Sequence, residues 1–245
     1  MFRRSSTIKG VNKMIKVPMK VVNRISNNLK RFQANAKLYQ KNDVSEADTV
    51  TLVKDILSEC FGFDKYKELT SEYKINNLYA DLAIKVNGKV RLLIEVKSSG
   101  IKLNSNHLRQ AMEYAYSKRL PWIVLTNGIE WQLHRVTFSP IVKPDELSSF
   151  DLLKINMNDE EDQMKLFLLC REGIDLDVID EYDQHARVLN KFNLAQIVLS
   201  ESIKSAIRRD LRKFFPDIKV DPQQILDILK NEVLRRDVIE GEKSK

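Results

Sequence analysis

Tyr79-Ala80-Asp81-Leu82-Ala83-Ile84-Lys85-Val86, then Asn87-Gly88, then Val90-Arg91-Leu92-Leu93-Ile94-Glu95-Val96-Lys97 is the stretch that decides the fold. Asn-Gly between two β-prone runs predicts a tight hairpin turn, because both central residues of such a turn need a positive φ. Successive strand residues point to opposite faces. Leu82, Ile84, Ile94 and Val96 then bury one face, while Asp81, Glu95 and Lys97 fall on the other, at the strand ends remote from the turn. Two carboxylates and a lysine sharing one face are costly to bury unless they bind something.

That set has the chemistry of metal-assisted phosphodiester hydrolysis. Asp81 and Glu95 supply hard oxygen ligands and the Val96 carbonyl a third, a donor set suited to Mg²⁺ with Mn²⁺ as a substitute. A bound divalent ion would polarise the phosphoryl oxygen and acidify a water. Lys97 would orient that water or neutralise developing charge. The competing reading is a cross-strand Glu95–Lys97 pair on a solvated sheet face, since a Glu-x-Lys tripeptide alone is common.

Upstream, Ser45 is a good N-cap followed by acidic residues in the first turn, so a helix is expected from there to Phe61-Gly62. Val50, Val53, Leu57 and Cys60 form its expected inward stripe. Glu46, four residues before Val50, heads that stripe and is a candidate additional carboxylate for the site. Further upstream, Pro18 opens a basic amphipathic helix with Val22, Ile25, Leu29 and Phe32 on its apolar side. Downstream, 68–75 reads as extended and 104–119 as a helix. Trp122 to Thr126 reads as a buried strand, and Asn127-Gly128 leads into a returning strand, 129–136. The order helix, three strands, helix, two strands implies an α/β fold with a mixed sheet between helices. From about residue 150 the pattern turns helical, over 160–170, 177–189, 194–215 and 222–238, and the last few residues are expected to fray.

Composition narrows the class. The 245 residues are 43% hydrophobic and 31% charged, ordinary for a globular protein, and no run approaches the roughly 18 apolar residues of a membrane span. The two cysteines, Cys60 and Cys170, show neither zinc-ligand nor disulfide spacing and read as buried thiols of a reducing compartment. With no secretory signal, the expected location is cytoplasmic. Residues 1–42 hold eleven Lys or Arg and no acid, on a remainder that is mildly acidic. Such an arm suggests a polyanion such as nucleic acid, with Lys20, Arg24, Lys30 and Arg31 on the helix as candidate contacts. A solvated tail, a membrane-surface helix and an organellar transit peptide are alternatives for the same composition. A second basic run, Lys204, Arg208, Arg209, Arg212 and Lys213, recurs at helical spacing and is either a phosphate grip or a solvated face. His107, His134 and His185 have no ligand spacing, Trp122 and Trp131 read as core, and Tyr66, Tyr73 and Tyr79 as packed strand aromatics or DNA contacts.

An ordered run of motifs carries a family resemblance: Ser45-Glu46-Ala47-Asp48-Thr49, Glu72-Tyr73, Ala80-Asp81-Leu82, Leu93-Ile94-Glu95-Val96-Lys97, Gln110-Ala111-Met112-Glu113-Tyr114-Ala115, and Leu125-Thr126-Asn127-Gly128-Ile129-Glu130-Trp131. Over 43–137 the chain resembles the PD-(D/E)xK nuclease domain at the N-terminus of type I restriction enzyme R subunits, and standalone bacterial proteins built on it. The resemblance implies divalent metal at Asp81 and Glu95, catalytic assistance from Lys97, and support from Gln110 and Tyr114, with Glu46 as the helix carboxylate. Ala80 stands where the family's nominal motif has Pro. No G-x-x-x-x-G-K-[ST] sequence is present, so no ATP site is expected and ATP-driven translocation does not transfer.

The resulting expectation has three parts. Residues 1–42 form a basic arm and helix, 43–150 a restriction-endonuclease-like core, and 151–245 a helical region. The core is expected to be a Mg²⁺-dependent DNA endonuclease related to restriction or defence. Arg208, Arg209 and Arg212 would add phosphate affinity, and a homodimer or partner subunit is plausible because two sites are needed to cut both strands together. The alternative is a catalytically silent nuclease fold that binds nucleic acid or a partner.

Overall fold

The computed structural model describes residues 15–75, 78–138 and 143–239, apart from the side chains of 72–75, 78, 79 and 143. The described residues divide into two compact units, 8–181 and 182–245 in sequence bounds. The side chains of Glu72, Tyr73 and Tyr79, the arm's first basic residues and the expected frayed end all lie outside the described residues.

The first unit is built on six strands in sequential order: β1 (Leu69–Ile75), β2 (Leu78–Val86), β3 (Lys89–Val96), β4 (Trp122–Thr126), β5 (Glu130–Thr137) and β6 (Lys143–Asp151). All neighbours are antiparallel except β3 and β4, which run parallel. A parallel pair needs a crossover connection. A 3₁₀ turn, Ser105–Leu108, and helix α3 (Arg109–Lys118) supply it. The hairpin turn falls on Asn87 (φ 53°) and Gly88 (φ 74°), as the Asn-Gly pair requires.

Both faces of the sheet are covered. Register places Leu82, Ile94, Val124 and Leu133 in one row. On that face Trp131 meets Phe61 edge-on with ring centres 5.5 Å apart and stacks on Phe150 at 6.0 Å. Phe61 closes helix α2 (Glu46–Glu59), whose buried side is Thr49, Leu52, Val53, Ile56 and Leu57. On the opposite face Ala83, Leu93, Ile123 and Leu125 pack against Leu108, Ala111, Tyr114 and Ala115 of the crossover. Trp122 and Trp131 are therefore core residues, as read from sequence.

Helix α1 (Met19–Asn42) buries Val21, Val22, Ile25, Leu29, Phe32 and Ala36, the apolar side expected from its spacing. Polar bonds lock its orientation. Arg24 donates from Nε to the Cys60 carbonyl (2.9 Å) and grips Glu172 with both guanidinium nitrogens (2.7 and 2.8 Å). Gln33 donates to the carbonyls of Leu152 and Ile155. Gly62, at φ 85°, is needed where it stands: a β-carbon there would sit 2.5 Å from Arg24 Cζ. Arg24→Ala would take its donor from Glu172 and from the Cys60 carbonyl after helix α2, while the Phe61 carbonyl keeps the Arg171 N–H. We expect it to lower unfolding free energy by about 2 kcal/mol, discounted for partial exposure, as read from the urea midpoint. An unchanged midpoint would show that water replaces the guanidinium.

Helices α4 (Glu160–Phe167) and α5 (Arg171–Asp175) complete this unit, and its boundary falls within α6 (Val178–Val188). The second unit is helical, with α7 (Lys191–Val198), α8 (Glu201–Phe214), α9 (Pro222–Ile228), a π-helical turn over Leu229–Val233, and α10 (Arg236–Ile239). The single helix expected over 194–215 is two, divided at Leu199-Ser200, with Asn190 capping the first by accepting from Phe192 and Asn193 N–H. No described helix is long and apolar enough to cross a membrane.

Candidate active site

The β2–β3 register runs Ala83 opposite Leu93 and Leu82 opposite Ile94, and one step further carries Asp81 toward Glu95. At that step a side chain replaces the ladder: Asp81 Oδ2 accepts the Val96 N–H at 2.7 Å. Glu95 shares the sheet face of Leu93 and lies in register with Leu125 of β4. The site thus sits at the end of the parallel β3–β4 pair, one row beyond the core packed under α3. Ligand sites in sheets with parallel strands favour the carboxyl ends of those strands.

Lys97 joins three elements. Its backbone N–H donates to the Thr126 carbonyl at 2.8 Å, extending the β3–β4 pairing. Its Nζ donates to Glu95 Oε1 at 2.8 Å and reaches Glu46 Oε2, at the start of α2, at 3.4 Å. Side-chain exposure is 7% for Glu95, 18% for Lys97 and 46% for Glu46. The centre is thus a desolvated acid–lysine pair with an open carboxylate at its rim.

Burial, and then the charge of Asp81, pushes the Glu95 carboxyl up to about 7. Burial also raises Asp81, against the opposing effect of the Val96 N–H. For Lys97 burial acts to lower the pKa, but the hydrogen bond to Glu95 and the charges of Glu95, Glu46 and Asp81 outweigh it and raise the ammonium above its ordinary value. Two carboxyls that disfavour each other's ionisation form a site that a cation would relieve. Asp81 and Glu95 offer the hard oxygen donors that a divalent cation such as Mg²⁺ takes. Among the described residues no three His, Cys, Asp or Glu side chains converge as a ready metal cage.

Of the stripe expected on α2, Val53, Leu57 and Cys60 are buried, and the stripe departs from expectation only at its head. Thr49 is buried and Val50 only partly so. Thr49 Oγ1 lies 3.2 Å from Ser99 Oγ and also donates to the Ser45 carbonyl. A threonine buried for hydrogen bonding gives no hydrophobic signal, which is why spacing alone chose Val50. Glu46 still reaches the site, because Thr49, one turn later, anchors α2 to the loop after Lys97. Asn127 completes that scaffold. Its Oδ1 accepts from the Ile129 and Glu130 N–H groups and its Nδ2 donates to the Ile101 carbonyl at 2.8 Å. Ser99, Thr49 and Asn127 are the supporting residues that sequence reading missed as such.

The other candidates separate. Tyr114 is fully buried in the cluster under α3, whereas Gln110 is exposed in the first turn of that helix. Arg24 is engaged by Glu172, and Arg31 pairs with Glu59, so neither faces outward as an unpaired cation. Lys20 and Lys30 are exposed. In the second unit Lys204 is buried against Glu201, Arg209 and Lys213 share Asp210, and Arg212 is exposed. On the same helix Ile203, Ala206, Ile207, Asp210, Leu211 and Phe214 line a shallow, largely apolar cavity of about 300 Å³. His134 is buried with Nε2 3.1 Å from Gln132 Oε1, His107 helps cap the 3₁₀ turn, and Tyr66 is 93% exposed, so it is no packed strand aromatic.

Sheet topology and the Asp81–Glu95–Lys97 arrangement place the first unit among restriction-endonuclease-like α/β folds. The family is more specific. A family model described as type I restriction enzyme R protein N terminus matches residues 19–141, half of the chain, and the chain belongs to that family. The matched span begins at the first residue of α1, well before the motif-bearing stretch that carried the resemblance. No curated protein and no solved structure matches the chain.

Proposed function

We propose that this chain is a Mg²⁺-dependent endonuclease module that hydrolyses phosphodiester bonds of DNA in a restriction-related role in the cytoplasm. The observation that carries the reading is the desolvated Glu95–Lys97 pair beside Asp81, at the end of a parallel strand in a chain of this family. Asp81, Glu95 and the Val96 carbonyl would hold the metal, which supplies phosphoryl polarisation and a water of lowered pKa. Lys97 is a donor without acceptor capacity. It aims N–H groups at a non-bridging phosphate oxygen while the water oxygen bonds to phosphorus and releases one proton to solvent, the P–O bond to the leaving sugar oxygen breaks, and that oxygen takes up a proton from solvent. Glu46, exposed at the rim, orients Lys97 and the water. Thr49, Ser99 and Asn127 hold the loop that fixes Lys97.

One observation favours the competing reading of a fold that binds without cutting: the described acidic groups do not converge as a ready cage. Incubating supercoiled plasmid with the purified protein in Mg²⁺ or Mn²⁺, beside an EDTA control, separates the two. Nicked or linear product confined to the metal arms supports the nuclease. Intact plasmid in every arm, with retained duplex binding, favours the binder.

A further inference from the structure

Helix α1 has a second side that the site does not use. Its 24 residues contain no acid, and its buried face and Arg24 are committed to the body of the first unit. On the outward half stand Lys20, Lys30, Lys37 and Lys41, all exposed, with Asn23, Asn27 and Asn35 among them. Among the described residues none of these four lysines has an ion-pair partner, whereas Arg24 and Arg31, on the flank toward α2, both do. Helical rise puts Lys41 about 16 Å beyond Lys30 and about 31 Å beyond Lys20. The helix ends at Asn42, where Asp43 turns left-handed at φ 48° and lays its carboxylate against Gly100, in the loop just after Lys97. Ser45 then caps α2, whose first residue contacts Lys97.

We infer that the Lys30–Lys37–Lys41 side of α1 is the track on which double-stranded DNA is held as it enters the site. This rests on the nuclease reading for its purpose but not for its measurement. A row of unpaired ammonium groups fixed on a rigid, anchored helix is complementary to a phosphate backbone, which it positions without reading sequence. The row runs toward the loop that carries Lys97. An anionic membrane surface fits poorly, because a helix lying in lipid inserts its apolar face and this one's apolar face is buried in protein.

The test uses the full chain in EDTA, so that binding is read whether or not the protein cuts. Affinity for a fluorescent 30-base-pair duplex is measured across a salt series for wild type, for Lys30→Gln/Lys37→Gln/Lys41→Gln, and for a charge-matched control, Lys67→Gln/Lys89→Gln/Lys154→Gln, at exposed sites elsewhere. At roughly 0.9 released counterions per neutralised phosphate, the track variant should lose about three from the salt slope and bind about a hundredfold more weakly at 0.1 M salt. The control should change affinity less than about threefold. Equal slopes for track variant and wild type overturn the inference, as does an equal loss in the control, which would reduce the effect to net charge. Vesicles containing phosphatidylserine and a single-stranded oligonucleotide form two further arms, and a loss confined to either one, with duplex binding intact, also overturns it. Cleavage failing while the slope change holds sinks the nuclease reading alone.

Discussion

Lys97→Met is expected to slow metal-dependent cleavage about a thousandfold at saturating Mg²⁺ while changing duplex affinity less than about threefold. The size follows from the role: removing one preorganised donor from a water-poor site typically loses 10²- to 10³-fold in turnover. On the proposed reading Lys97 would be such a donor, since it has 18% side-chain exposure and its Nζ is held 2.8 Å from Glu95. Methionine keeps the stem and removes only the ammonium, so packing under the loop is preserved. Glu46→Gln should lose much less, about tenfold, because Glu46 is half exposed and its contact with Lys97 is long at 3.4 Å. Single-turnover cleavage with a far-ultraviolet circular dichroism control measures both. Lys97→Met cutting within tenfold of wild type would remove Lys97 from the chemistry.

That centre was legible in the sequence because it is local. Asp81 and Glu95 lie on two strands joined by an Asn-Gly turn and Lys97 directly follows the second, so alternation and register alone bring them together. The Ser45 cap was equally plain, and its side chain accepts the Asp48 N–H. What failed depended on distant partners or weak signals. The Arg24–Glu172 pair joins residues 148 positions apart, and nothing in a basic helix says which cation turns inward. Strand β6 was missed because Lys143-Pro144-Asp145-Glu146 reads as loop. Proline near the start of an edge strand forfeits no needed hydrogen bond, and a shift in the β5–β6 register accommodates the irregular pattern. Gln110 and Tyr114 share a helix face by spacing, yet only Tyr114 is deep enough to be covered. The basic helix illustrates the same limit: its charge was legible, but which lysines face outward required the packing of α1.

Glu95→Gln is expected to make the metal-free protein more stable while abolishing cleavage. The Glu95 carboxyl is raised to about 7 by burial and by Asp81. For an acid raised in the folded state the sign is adverse. Below the unfolded value, about 4.3, both states are protonated and nothing is lost. Between there and about 7 the folded state holds a proton that the unfolded state has released, and stability falls as pH rises. Above about 7 the full penalty is present, on the order of 3–4 kcal/mol. Glutamine keeps the shape and cannot ionise, so in EDTA the variant should exceed wild type by about 3 kcal/mol at pH 8, with the difference vanishing toward pH 4.5. Urea titrations at the two pH values measure this. Mg²⁺ should close the gap from the other side, because a ligand that binds the folded wild type stabilises it and has lost one carboxylate in the variant. A variant no more stable than wild type at pH 8 would mean that Lys97 and water fully compensate Glu95. The centre would then be an ordinary ion pair, with no stored preference for a cation.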